Sequence, residues 1–173
     1  MKRWIFSGLG AAAAAFAAWF SLSPGLAMTG LRDAVKEANK QELEERVDFP
    51  KVRDSLKAQF KAKMASEMAK EAQGEQSGFA ALGAMIAMSM VDGLIDGLIT
   101  PDGMKALIEN GRFKRQDEAA SAPAKEVDWK IERDGLDRFR AVPAGDNNPP
   151  TLVFKRDGLG WDLVDIEIPA GDE

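Results

Sequence analysis

Three residue types that carry much of enzyme chemistry are missing from this chain of 173 residues, which has no histidine, no cysteine and no tyrosine. Without cysteine and histidine there are no disulfides, no thiol nucleophiles and no Cys/His zinc sites. The lack of histidine also excludes Ser-His-Asp catalysis and the commonest general acid–base group. Only carboxylates, lysines and hydroxyls remain for catalysis. The sequence indicates no cofactor and favours a protein that is not an enzyme.

Charge is sparse near the N-terminus. After two basic residues, positions 4–22 form a run of 19 residues without a charge, and 15 of them are apolar. This length suits a membrane-spanning helix better than the core of a cleaved signal, which spans about 7 to 15 residues. Trp4 and Trp19 would lie roughly 22 Å apart on such a helix, near opposite edges of the hydrocarbon layer. We predict a signal-anchor or transmembrane segment over residues 1–28.

The alternative is a signal peptide that is removed. Gly25 and Ala27 place small residues at the −3 and −1 positions of a cleavage site, as signal peptides require. Lys2 and Arg3 favour a cytoplasmic N-terminus in either case. We therefore expect a single-pass protein of an inner membrane with its C-terminal domain in the periplasm. The other outcome is secretion to the periplasm after cleavage near Ala27.

The next part of the chain, residues 29–111, has the apolar spacing of helices. A short, one-faced helix is predicted from Thr29. Asp48 is placed as an N-cap and Pro50 in the first turn of a longer helix, which we predict from Phe49 to Glu71.

A second apolar run extends from Phe79 to Ile99 but contains Asp92 and Asp96. Placing these carboxyls in lipid would cost roughly 2.5 to 3.5 kcal/mol each near the bilayer centre. We predict a buried core helix whose last two turns emerge into water; a second membrane span is the alternative. Thr100 is then the expected N-cap of a short helix.

The C-terminal part follows a linker over residues 112–126 and changes to the period-two alternation of strands. Two Asp-Gly pairs, at 134–135 and 157–158, are typical of tight hairpin turns. Residues 127–173 are therefore predicted to form a four-stranded antiparallel meander. With an N-terminal transmembrane helix and about four further helices packed on this sheet, the fold class is α+β. The strands are expected at 127–132, 136–142, 152–155 and 161–168.

Several segments resemble a known bacterial family, the domain of unknown function 2939 family. The most specific is VDFPKVRDSLK at positions 47–57, and LRDAV at 31–35 fits the same family. Thr100-Pro101 and a C-terminal pattern with Phe154, Gly158, Trp161 and Leu163 extend the resemblance. It implies an N-terminal membrane segment that runs straight into the first helix. It implies no activity, since none is assigned to the family.

Five side chains are candidates for a site. Asp92 and Asp96 lie one helical turn apart, as a paired-carboxylate or cation site requires, although two carboxylates without a third ligand make no closed metal site. Asp48 and Arg53 are the polar members of the specific 47–57 segment and serve either binding or capping and ion pairing. Trp161 either anchors the packed face of the sheet or offers an aromatic ligand surface.

The net charge and the methionines of the chain indicate which partners to expect. The net charge is −5 and no basic stripe is interleaved with aromatics, so nucleic acid is not an expected partner. Methionines on helices are typical of adaptable binding grooves as well as of cores. We expect a binding or interaction domain for a protein partner or a small apolar ligand. The alternative is a carboxylate-dependent enzyme or cation-binding domain that uses Asp92 and Asp96. The methionines concerned are Met64, Met68, Met85, Met88, Met90 and Met104.

Overall fold

The computed structural model describes residues 2–71, 77–106, 128–144 and 150–169. The predicted linker at 112–126 lies outside them, as does most of the loop before Pro150. The predicted α+β fold is confirmed, with the helices preceding a single antiparallel sheet. The helices are α1 (Lys2–Glu37), α2 (Lys40–Arg46), α3 (Phe49–Glu71) and α4 (Ser77–Leu98), and the strands are β1 (Asp128–Asp134), β2 (Arg138–Ala144), β3 (Thr151–Asp157) and β4 (Gly160–Glu167).

The N-terminal apolar segment and the first predicted helix form one helix. α1 is 36 residues long and continues through Pro24, so the segment does run straight into the first helix. By length and composition, one helix in the described part of the chain is apolar enough to cross a membrane. Signal sequences share these properties. The helix ends where Ala38 takes a left-handed backbone with φ of 51°.

The densely charged residues 40–46 form a short helix that was not predicted from the sequence. In α2, the side chain of Asn39 caps the N-terminus by accepting a hydrogen bond from the backbone N–H of Glu42 at 3.3 Å. Leu43 is fully buried, and it is the only buried residue of the helix. With one apolar side chain, α2 has no periodic pattern, so its position depends on the cap and on this single contact.

The sheet is the predicted meander, with neighbouring strands in the order β1-β2-β3-β4. Gly135 and Gly158 have positive φ values of 75° and 53°, as the two Asp-Gly turns require. Because the strands are antiparallel, both turns lie at one end of the sheet. We call this end, formed by residues 133–138 and 156–160, the hairpin end.

The core lies between the sheet and the first three helices. Phe139 of β2 stacks on Phe154 of β3 with ring centroids 4.6 Å apart, and Trp161 meets Phe139 edge-on at 4.8 Å. Each fully buried side chain of this size contributes roughly 1.5 to 3 kcal/mol. The helices and the residue Val47 between α2 and α3 supply the other part of the core, with Leu31, Ala34, Leu43, Val47, Phe49, Val52 and Leu56.

The prediction that residues 79–99 form a buried core helix is wrong for the side chains that the structure describes. α4 is present, but Ile95 is its one buried side chain among them, and four large apolar side chains are exposed. The reason is that α1, α2 and α3 are the helices that pack on β4, whereas α4 packs mainly on α3. The exposed side chains are Ile86, Met90, Leu94 and Leu98.

Candidate functional site

The exposed face of α4 is the most unusual surface of the described molecule. Ile86, Met90 and Leu94 are 62%, 68% and 60% exposed. At 3.6 residues per turn they share an arc of about 80° with Gly83 and Gly97. The space in front of both glycines is open, with no atom within 4 Å of where a Cβ would lie. We call these five residues the apolar stripe.

The opposite side of α4 pairs with α3 through charges. Asp96 lies 2.6 Å from the ammonium of Lys57, and Asp92 lies 3.2 Å from that of Lys61. Arg53 adds a longer contact of 3.9 Å to Asp96. The structure thus brings together three of the five predicted site residues, and it gives each carboxylate a basic partner.

These ion pairs explain the position of Asp92 and Asp96, and no bound ligand is needed to balance their charges. Both side chains are partly exposed, and exposed ion pairs contribute about 0 to 1 kcal/mol each. Within the described ranges no group of three His, Cys, Asp or Glu side chains is placed to hold a metal ion. The two ion pairs define the register of α4 against α3.

Arg53 also holds the end of α4. Its Nη1 donates a hydrogen bond to the carbonyl oxygen of Ile99 at 3.0 Å, one of the carbonyls that a helix end leaves without a partner. Next to it, Thr100 accepts a hydrogen bond from the N–H of Gly103 at 2.9 Å. The predicted N-cap at Thr100 is thereby confirmed, and residues 101–106 are helical.

Asp48 caps the N-terminus of α3, as the sequence indicates. Its Oδ1 accepts a hydrogen bond from the backbone N–H of Lys51 at 3.1 Å, and its Oδ2 pairs with the Lys51 ammonium. Burial opposes ionisation of Asp48, but the hydrogen bonds and charge of Lys51 outweigh it and lower its pKa. The backbone N–H of Asp48 donates to Leu163 O at 2.9 Å, which ties the start of α3 to β4.

Trp161 joins the sheet to α1. Its ring is buried, and its Nε1 donates a hydrogen bond to Ser23 Oγ at 3.1 Å. The guanidinium of Arg156 lies 4.2 Å from the ring centroid, a favourable cation–π distance. The described contacts of Trp161 are therefore with the protein itself.

The contact between α1 and the sheet is organised around a proline. Pro24 has no N–H, so the carbonyl of Phe20 loses its helical partner. Ser23 Oγ donates to that carbonyl at 3.1 Å, and Arg133 Nη2 donates to it as well. We call Phe20, Ser23, Pro24, Arg133 and Trp161 the anchor junction. None of the predictions from the sequence includes this junction, although a proline inside an apolar helix signals a carbonyl that needs another donor.

A groove of about 420 Å³ lies between α1 and the sheet. Its walls are largely apolar, with Arg32 and Lys36 of α1 and Asp128 of β1 among its residues. Such a groove suits a small apolar ligand in size and lining. Its apolar residues are Met28, Leu31, Val35, Trp129, Ile131 and Leu152.

The candidate methionines do not form one groove. Met90 is exposed on the apolar stripe, whereas Met104 packs against the core. Met64, Met68 and Met88 are half-buried, and the side chain of Met85 lies outside the described ones. Met90 is therefore the one methionine that the structure places on the stripe.

Comparison with known proteins gives a family and no activity. A family model described as a protein of unknown function (DUF2939) matches residues 13–107. The match spans more than half of the chain, from within α1 to the helical residues after α4. The resembling C-terminal pattern around Trp161 lies beyond it. No curated protein and no solved structure matches the chain.

Proposed function

Because the chain belongs to the DUF2939 family, a family of unknown function, we propose a function from its own geometry. The protein is a non-enzymatic interaction domain that α1 holds at the periplasmic face of a bacterial inner membrane. It binds a protein partner through the apolar stripe of α4. The observation that carries this proposal is the exposure of Ile86, Met90 and Leu94 on a single helix face.

The exposed stripe is costly unless something covers it. Burying a side chain of this kind contributes roughly 1.5 to 3 kcal/mol, and contiguous exposed apolar surface marks interaction sites. The open space over Gly83 and Gly97 lets another backbone approach closely, since glycine has no side chain in the way. A helix is the partner shape that fits a narrow ridge flanked by such gaps.

The symmetry of the stripe specifies the first partner to test, a second copy of α4. The spacing of the stripe is symmetric about Met90. A branched aliphatic side chain lies four residues away on each side (Ile86 and Leu94), and a glycine lies seven residues away on each side (Gly83 and Gly97). Two antiparallel copies therefore place Ile86 against Leu94, Gly83 against Gly97, and Met90 against itself, as a two-fold contact requires. Asp92 and Asp96 face α3 instead, so the contact brings no like charges together.

Disulfide crosslinking tests this contact, since the chain has no cysteine of its own. In membranes that hold the full chain, M90C is expected to form disulfide-linked dimers, because the two residues at the centre would be directly opposed. A mixture of I86C and L94C chains should crosslink more than either alone. D54C, exposed on α3, is the matched control. Crosslinking of M90C at the rate of D54C would overturn self-association through the stripe.

Retention of α1 in the mature protein is supported by the anchor junction. Cleavage near Ala27 would remove Ser23 and Pro24, both buried against the domain. It would also remove the acceptor of the Trp161 hydrogen bond. The mass of the protein isolated from membranes should therefore include the first 27 residues. A mature chain that begins at Met28 would contradict the anchor.

The carboxylate-dependent alternative receives no support from the geometry of Asp92 and Asp96. Each is paired with a lysine of α3, and a cation would have to displace that lysine. We expect the melting temperature to be the same with and without calcium. A clear rise on adding calcium would favour the cation-binding alternative.

A further inference from the structure

The direction of α1 across the sheet fixes which end of the domain faces the membrane. Phe20 and Ser23 contact Arg133 and Trp161 at the hairpin end, while Val35 shares the groove with residues farther along the strands. The 15 residues from Phe20 to Val35 span about 22 Å of helix, close to the roughly 23 Å of a seven-residue strand. The helix therefore enters the domain at the hairpin end.

The apolar surface of α1 extends along the helix as far as the hairpin end. Among its described side chains, Phe16, Leu22 and Leu26 are exposed and apolar, and no charge follows Arg3 until Arg32. Trp4 and Ser23 are about 28 Å apart on a helix, close to the thickness of a hydrocarbon layer of about 30 Å. If α1 spans a bilayer, its hydrocarbon edge lies beside the anchor junction.

Both turns at this end carry an exposed leucine. Leu136 and Leu159 are 73% and 78% exposed, the highest values among the large apolar side chains of the described residues. Leu159 lines a small cavity with Trp19 and Leu26 of α1, so this tip is beside the apolar part of the helix. A leucine at the tip of each turn is not needed for the turn itself, which depends on Asp-Gly.

Arg156 holds the two turns together. Its Nε donates to the carbonyl of Leu136 at 3.2 Å, and its backbone N–H donates to the carbonyl of Asp137 at 2.8 Å. Its guanidinium also lies over the rings of Trp19 and Phe20, 5.3 and 5.1 Å from their centroids. The two tips therefore form one fixed surface with α1.

We propose that the hairpin end rests in the interfacial layer of the bilayer that α1 spans, with Leu136 and Leu159 inserted among the lipids. This rests on the membrane segment of the proposed function and adds a second contact with the same membrane. The charges of the hairpin end balance, so the contact is apolar and does not need anionic lipid. They are Arg133, Arg138 and Arg156 against Asp134, Asp137 and Asp157.

Lipid quenching of single labelled cysteines tests the proposal on the full chain. The chain is placed in vesicles of phosphatidylcholine with phosphatidylglycerol, some of whose lipids carry a quencher near the glycerol. An environment-sensitive dye on L136C or L159C is expected to show a blue-shifted emission and a loss of intensity from the quencher. A144C, exposed at the other end of β2, should show neither change.

A fourth label separates the two proposals. F16C, exposed on α1, reports whether that helix lies in the bilayer. Quenching of F16C with both tips behaving like A144C would overturn the contact of the hairpin end and leave the anchor intact. An unquenched F16C would overturn the anchor itself. Tip quenching that disappears in pure phosphatidylcholine would overturn the apolar nature of the contact.

Discussion

At the scale of single residues, Asp48 combines a helix cap with an ion pair. It satisfies the N–H of Lys51 and the Lys51 ammonium while its own N–H bonds to β4. Replacing Asp48 with Ala should lower the free energy of unfolding by about 0.5 to 2 kcal/mol, the usual cost of a lost cap. Denaturant unfolding measures this, with D54A on the exposed side of α3 as the control. Equal losses in both variants would contradict the capping role.

Ionisation of Asp162 should lower the stability of the fold, whereas ionisation of Asp48 should raise it. Burial, together with the charges of Asp157 and Asp48, raises its pKa above the usual 3.8, against the opposing charge of Lys51. A carboxyl with a raised pKa favours the folded state when protonated, so stability falls as the pH rises through the range above 3.8. Asp48, whose pKa is lowered, instead stabilises above 3.8 and loses its contribution as the pH falls.

The variant D162N removes this ionisation. We expect a gain in unfolding free energy of up to about 0.5 kcal/mol at pH 7, kept small by solvent screening. At about pH 3, where the carboxyl is protonated in both states, the gain should vanish. Denaturation midpoints at the two pH values measure the difference. A gain that is the same at both values would point to packing and not to charge.

At the scale of elements, α1 belongs to the domain as well as to the apolar N-terminal run. Its buried Ser23 and Pro24 lie against the sheet, and its Leu31 and Ala34 belong to the core. A chain that begins at Met28 should therefore unfold at a lower denaturant concentration than one that begins at Phe16, which keeps the anchor junction. The comparison is made in the same detergent. Equal midpoints would show that the junction adds nothing to stability.

Local signals in the sequence predicted several elements well. The start of α3 follows from Asp48 as cap and Pro50 in the first turn, both of which act within a few residues. The hairpins follow from Asp-Gly turns for the same reason. Ser23-Pro24-Gly25 in α1 would locally be expected to interrupt a helix. It stays helical because Ser23 and Arg133 bond the carbonyl that Pro24 leaves unpaired.

The burial of α4 could not be predicted because it depends on the other elements. An apolar helix is buried only where the fold places it against another surface, and here α1 to α3 pack on β4 while α4 contacts mainly α3. Part of the candidate site could be predicted from the sequence, however. Asp92 and Asp96 are four residues apart, as are Lys57 and Lys61, so two helices with these spacings can form matched ion pairs. Which helices pair is set by the fold.

At the scale of the whole molecule, the proposed membrane anchor predicts an orientation from the N-terminal charges. Lys2 and Arg3 favour a cytoplasmic N-terminus, so everything after α1 should be periplasmic. A phosphatase reporter fused after residue 115 should be active, and a fluorescent reporter that folds only in the cytoplasm should stay dark. The reverse result would contradict this topology.

The continuity of α1 has a consequence for how the protein finds its partner. A domain on a flexible tether samples a hemisphere whose radius is set by the tether. Here the helix passes from the apolar run into the core without a break, and the anchor junction fixes the sheet to it. If α1 spans the bilayer as proposed, the apolar stripe therefore stays at one height and sweeps a thin layer parallel to the bilayer. Copies in the same membrane would then meet in two dimensions, and a partner from the other side of the periplasm would have to travel to that layer.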